Sequence, residues 1–206
     1  MPTFPRYSPF RFVLVLFVLG LTSAYAGVVT FEDLPDAYFF NGDGQNIGNF
    51  YAGVTFGPNV TGLSVSRFGG YASDAFPPHS GDVVIWDATD PTITISFDTP
   101  VTWFGVWYTS FDPLTLEAFD ASNNLLGTVL GGPNTDGTTG ATSFLVFSDS
   151  GIASVNLTSS PGLFTLDDVT TTVPEPSTFV LLATAFIGVI FVSRLSGRRE
   201  CWRRGV

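Results

Sequence analysis

Cysteine, lysine and histidine are almost missing from this sequence. Its 206 residues hold one cysteine, Cys201, no lysine, and one histidine, His79. With no cysteine before position 201, the body of the chain forms no internal disulfide and no thiolate metal site. One histidine is too few for a zinc centre of imidazoles. There is also no Gly-x-Ser-x-Gly nucleophile elbow. His79 and Ser80 are adjacent in sequence, and adjacent residues rarely form a proton relay. His79 therefore reads as a solvent-facing loop residue. No catalytic constellation stands out.

Basic charge is scarce in the same way, and its placement divides the chain. All eight basic residues are arginine. Arg6 and Arg11 lie near the start, and Arg194, Arg198, Arg199, Arg203 and Arg204 near the end. Arg67 alone lies between. Of the 18 acidic residues, Glu175 and Glu200 belong to the end segment, so residues 27–172 carry 16 acids and a formal charge of −15. Such a surface repels nucleic-acid phosphates, so no nucleic-acid partner is expected, and it favours divalent cations.

What is present at the two ends is hydrophobic. Phe12 to Leu21 forms a short apolar run behind Arg6 and Arg11. Ala24-Tyr25-Ala26 comes next, with a small residue at each outer position. This is the pattern of a signal peptide, residues 1–26, cut after Ala26. It implies the Sec translocon and signal peptidase as partners.

At the other end, Ser177 to Ser193 carries no charge. The 18 uncharged residues between Glu175 and Arg194 span roughly 27 Å as a helix. That nearly matches a hydrocarbon core of about 30 Å. The arginines beyond it are retained on the cytoplasmic side. A single transmembrane helix over about 177–193 is expected, with the C-terminus inside.

Val173-Pro174-Glu175-Pro176-Ser177 stands directly before that span. Together, motif, apolar span and arginine cluster resemble the PEP-CTERM sorting signal of Gram-negative bacteria, over residues 173–206. The tail departs from the family's usual form by running on through Glu200-Cys201-Trp202. The resemblance implies recognition by an exosortase, a membrane-embedded enzyme with a cysteine nucleophile. It also implies removal of the span and release or attachment of the exported domain at the cell surface. Pro174, Glu175 and Pro176 would then be recognition residues in the substrate.

Residues 27–172 make one domain, long enough to bury a core. They lack sustained helical periodicity. Short β-branched and aromatic runs alternate instead with Gly, Pro, Asn and Asp clusters. In Thr92–Phe97, Ile93, Ile95 and Phe97 share one face. Leu114, Leu116 and Ala118 do the same. Further strands are expected at Val28–Phe31, Tyr51–Phe56, Val83–Trp86, Val101–Thr109, Leu125–Leu130, Thr142–Phe147, Ile152–Thr158 and Phe164–Thr170. A loop is expected from Gly131 to Ala141. About ten strands are too many for one open sheet with a wet face, so the reading is all-β, a two-sheet sandwich of jelly-roll type. Phe31-Glu32-Asp33-Leu34, Tyr51–Phe56, Ile95–Val101, Leu116–Leu126 and Leu166–Val169 occur in an order similar to exported β-sandwich domains of PEP-CTERM proteins. Those in turn resemble carbohydrate-binding modules.

Two sets of side chains are candidate sites. Glu32, Asp33, Asp167 and Asp168 come together if the first and last strands are neighbours. Four carboxylates are suitable ligands for a structural Ca²⁺. Strict alternation from Phe164 and Leu166 also turns Asp168 inward, where a bare carboxylate is costly. Asn41–Asn46 resembles a cation loop, but Asn46 stands where an EF-hand needs glycine and Ala52 where it needs glutamate, so it reads as a turn.

The second set is Trp103 and Trp107, which share strand parity and could form a stacking platform for sugars. The competing reading is ordinary core packing. Two functions are compatible with the whole sequence. One is a non-catalytic, exosortase-processed surface or matrix protein that touches exopolysaccharide. The other is a secreted carbohydrate hydrolase using an unmarked carboxylate pair.

Overall fold

The computed structural model describes residues 26–40, 44–68 and 70–172. The signal-peptide residues through Tyr25, Ala24 included, lie outside the described residues, as do Val173, Pro174, Glu175, Pro176, Ser177 and the span. Among the described residues no helix is long and apolar enough to cross a membrane. Their helical content is one 3₁₀ turn, Asp36–Tyr38.

The rest is β. The strands are β1 Ala26–Val29, β2 Val54–Phe56, β3 Thr61–Ser64, β4 Val83–Trp86, β5 Thr92–Ser110, β6 Leu114–Phe119, β7 Leu125–Gly131, β8 Ser143–Thr158 and β9 Phe164–Thr172. Alternation makes these strands as expected. Ile93, Ile95, Leu114, Leu116 and Ala118 are fully buried, and Phe97 nearly so. Each large apolar side chain so buried contributes about 1.5–3 kcal/mol of transfer free energy.

Three sequence expectations need correction. β3 was not foreseen. The segments Thr92–Phe97 and Val101–Thr109 form one 19-residue strand, and Thr142–Phe147 and Ile152–Thr158 one 16-residue strand. Finally, the two layers of the sandwich share strands β5 and β8 and so are continuous. Hydrogen bonds run through the order β3-β4-β9-β5-β8-β6-β7, with β1 added on β9 and β2 on β5.

β5 and β8 create that continuity. A straight strand of 19 residues would extend about 60 Å, far beyond a domain of this size. The strand therefore bends. Residues 92–96 pair with 154–158, and Trp103–Tyr108 pair with Ser143–Ser148, with register shifts between Ser96, Val101 and Trp103. The first half carries β2 on one side, with β6 and β7 beyond β8. The second half carries β9, β4 and β3. Buried residues of both halves belong to a single core cluster.

β1 lies antiparallel on β9, with Ala26 opposite Thr172 and Val29 opposite Val169. The domain's first and last strands are thus neighbours, as convergence of the four acids required. β1 ends earlier than expected because Phe31 takes a positive φ of 65°. The turn buries its ring against Tyr51 and Phe56.

Candidate functional site

On the second half of β5, Phe104, Val106 and Tyr108 point into the core. Trp103, Gly105 and Trp107 therefore take the outer face, where both indoles are half-buried. The neighbouring strand continues this face. Val146 stands opposite Gly105 and Phe144 opposite Trp107, and Phe144 and Val146 are each 40% exposed.

The rings form a ribbon. Trp103 and Phe144 have centroids 5.9 Å apart, and Phe144 and Trp107 5.1 Å apart. Glycine at 105 makes this possible. A Cβ there would lie 2.4 Å from Phe144 Cζ and 2.5 Å from Trp103 Cη2. Both rings thus lean across the bare backbone between them. Neither indole belongs to the core cluster. Phe144 was missed by sequence reasoning, which cannot say that β8 is the strand beside Trp107.

His79 closes one end of the ribbon. Its ring stacks on Trp107 at 3.6 Å with an interplanar angle of 9°. It lies in a loop and its side chain is 33% exposed, but it is not loose. His79 Nδ1 and Asp168 Oδ2 are 2.6 Å apart, and Ser80 Oγ donates to Asp168 Oδ1 at 2.8 Å. The carboxylate thus stands between His79 and Ser80. In a nucleophilic relay the imidazole must stand between serine and acid.

The other candidate calcium residues each have hydrogen-bond partners of their own. Asp167 Oδ2 accepts from the backbone N–H of His79 at 2.7 Å and of Ser80 at 3.0 Å, and Oδ1 from Asp168 N–H at 2.7 Å. Glu32 Oε1 accepts from Asp82 N–H and Val83 N–H at 2.8 and 2.9 Å. Asp33, exposed, accepts from the Tyr51 hydroxyl at 2.7 Å. Glu32, Asp167 and Asp168 thereby pin the loop before β4 to the sheet. Among the described residues no three His, Cys, Asp or Glu side chains form a group able to hold a metal ion. Asp168 is buried, as alternation suggested, but its φ of 45° breaks the strand geometry. The register against β5 shifts beside it, between Gly105 and Trp107.

The electrostatics follow from this crowding. Burial raises the Asp167 carboxyl from 3.8 to about 6. The neighbouring Asp168 charge adds to the rise, and the three backbone donors oppose it. Burial also pushes the Tyr71 hydroxyl up, helped by the negative charges of Asp167, Asp82 and Glu32. Arg67 is engaged elsewhere, donating to the Leu34 carbonyl at 3.1 Å and to Asp36 at 3.4 Å.

One prediction arises from the pinned loop. Gly81 has φ of 57°, and a Cβ on it would meet Glu32 Oε1 at 2.3 Å. Gly81→Ala should lower stability by about 1–2 kcal/mol from the left-handed backbone alone. Chemical denaturation checks this. A midpoint equal to that of the wild type would refute the pinning.

The comparisons with known proteins bear on the two parts of the chain separately. The described domain is similar in structure to the K2 cleaved adhesin domain of Lys-gingipain, at 14% identity and TM-score 0.46, covering 72% of this chain and 99% of that one. It is also similar to a DUF4465 family protein from Bacteroides caccae, at 17% identity and TM-score 0.42, over 73% and 100%. A third is CsCBM6-3 from Clostridium stercorarium, solved with cellobiose, at 14% identity and TM-score 0.38, over 72% and 94%. No curated protein matches the chain. Residues 172–199 match the PEP-CTERM protein-sorting motif. This agrees with the segment Val173–Ser177 and the apolar span behind it. The chain therefore carries a PEP-CTERM sorting motif, the mark of an exported exosortase substrate held at the membrane by its C-terminal segment before processing.

Proposed function

We propose that this is a non-catalytic cell-surface or extracellular-matrix protein whose domain binds exopolysaccharide through the Trp103–Phe144–Trp107 ribbon. One observation carries the reading. The outward positions of the first half of β5 and its neighbours are mostly hydroxyl and amide groups, among them Thr92, Thr94, Thr115, Asn156 and Thr158, with Glu117 and Phe119 farther along β6. Thr92 and Thr158 hydrogen-bond at 3.0 Å, and Thr94 donates to Asn156 at 2.8 Å. Around β5 and β8 that is a wet face. The same strands in their other half turn out Trp103, Trp107, Phe144 and Val146.

An aromatic surface beside Thr170 and Thr172 suits a sugar chain. The flat rings cover the C–H faces of pyranoses, and the flanking hydroxyls meet the sugar hydroxyls. Trp103 and Trp107 are four residues apart, about 13 Å along the strand, room for two or three sugar rings. Export with a sorting motif would place this face where exopolysaccharide is.

The test is affinity electrophoresis of the full-length chain against a polysaccharide panel, with reducing ends assayed in parallel. Retardation without release of reducing ends is expected, and turnover abolished by one Asp or Glu substitution would favour a hydrolase. Gly105→Ala adds a sharper check. The added methyl pushes Trp103 and Phe144 apart without removing any ring. It should weaken retention by about tenfold, the scale of one lost aromatic contact. The far ends of the two rings can shift to make room, so far-ultraviolet circular dichroism should stay unchanged.

A further inference from the structure

The ribbon has a feature that simple exposure of rings does not require: one end is locked. Trp107 is covered on one side by the parallel His79 ring, and His79 is held by Asp168 at 2.6 Å. Asp168 is itself fixed by Ser80 Oγ, and the loop by backbone bonds from His79 and Ser80 to Asp167. The lock joins residues 89 apart in sequence. A half-exposed indole on a sheet surface ordinarily samples several rotamers, and a ligand must stop that motion on binding. Here the protein stops it beforehand.

The charges around the lock restrict what can bind. The acidic groups at the lock are the carboxyls of Asp167 and Asp168. Arg67, the one Lys or Arg among residues 27–172, is engaged at Leu34 and Asp36. The exported part carries a formal −15. A polymer of uronates or sulfated sugars would meet repulsion and find no free Lys or Arg to pair with.

Resting on the glycan reading above, we propose that the ribbon selects an uncharged polysaccharide and that His79, clamped by Asp168, is a positioning residue that pre-organises Trp107 for it. His79 acts through the indole. The ligand stacks on the Trp107 surface that His79 leaves free, on Phe144 and on Trp103.

The experiment uses the full-length chain in a non-glycosidic detergent. The probes are galactan, mannan and hydroxyethyl cellulose as neutral polymers, with alginate and polygalacturonate as anionic ones. His79→Ala and His79→Phe are compared with wild type. Both variants lose the bond to Asp168, so any difference between them reports the stacked ring alone. Retention on at least one neutral polymer, unaffected by salt, is expected. His79→Ala should weaken it by about five- to tenfold and His79→Phe should recover most of that loss. A His79→Phe variant as weak as His79→Ala overturns the positioning role. Binding confined to alginate or polygalacturonate overturns the ligand class while leaving glycan binding intact. No retention of the folded wild type on any polymer overturns the glycan reading itself, and this inference with it.

Discussion

Trp107→Ala should abolish most polysaccharide retention while leaving the fold in place. Trp107 is the ring held at the locked end of the ribbon, touching His79 on one side and Phe144 on the other. Well-packed aromatic anchors typically cost 2 kcal/mol or more when truncated, about a thirtyfold loss of affinity. Trp103→Ala removes an end ring that touches Phe144 alone within the ribbon, so its effect should be smaller, about tenfold. The double variant should bind below detection.

Stability should behave differently from binding. Neither indole belongs to the core cluster, so the loss should stay well under the 3–5 kcal/mol typical of a buried Trp→Ala change. Retention measured beside a denaturation curve checks both halves. Normal retention by the folded double variant would remove the ribbon from function. Unfolding of both single variants would return the indoles to a structural role.

The sequence made the alternating strands legible because their physics is local. Ile93, Ile95 and Phe97, or Leu114, Leu116 and Ala118, need no knowledge of their partners to show one buried face. The bends were misread for the same local reason. Asp98-Thr99-Pro100 and Asp149-Ser150-Gly151 have turn chemistry, yet β5 and β8 continue through them as bulged corners where the register shifts. β3 escaped notice because Gly62 interrupts it. The glycine is there for packing, since a Cβ would stand 3.1 Å from the Phe39 ring, a contact made by a segment 23 residues away.

The site was legible only in part. Strand parity put Trp103 and Trp107 on one face. Phe144, His79 and Asp168 join them through strand order and loop placement, which no local pattern encodes. The acidic residues were read as ligands for an ion because their number and position suggested convergence. In the fold Glu32 and Asp167 accept from backbone N–H groups, Asp33 from the Tyr51 hydroxyl, and Asp168 is partnered by the His79 and Ser80 side chains. An exported domain without cysteine has its loops tied by carboxylates at Glu32, Asp82, Asp87, Asp120, Asp136 and Asp167.

Those ties make stability depend on pH in two opposite ways. Asp82, Asp120 and Asp136 are held below their ordinary range, chiefly by side-chain hydrogen bonds from Ser66, Asn124 and Thr138 respectively. Their contribution is present above the unfolded value near 3.8 and is lost as pH falls further. Asp167 is the reverse case. Its folded value of about 6 exceeds the unfolded 3.8, so between those values the folded protein binds more protons than the unfolded chain. Its contribution is full below about pH 4 and is lost as pH rises through 6. At about 1.4 kcal/mol per pH unit the swing has an upper bound of about 3 kcal/mol, which solvent screening at the carboxyl reduces. The Asp167 contribution to stability should therefore decline from about pH 4 toward neutrality. Asp167→Asn isolates the cause. The amide cannot accept all three backbone bonds, so the variant should be weaker overall, but its stability should no longer fall between pH 4 and 7. Urea denaturation at several pH values reads the slope. Parallel slopes in wild type and variant would show that Asp167 is ionised in the fold without cost. The clustered burial of Asp167 beside Asp168 would then carry none of the pH dependence assigned to it.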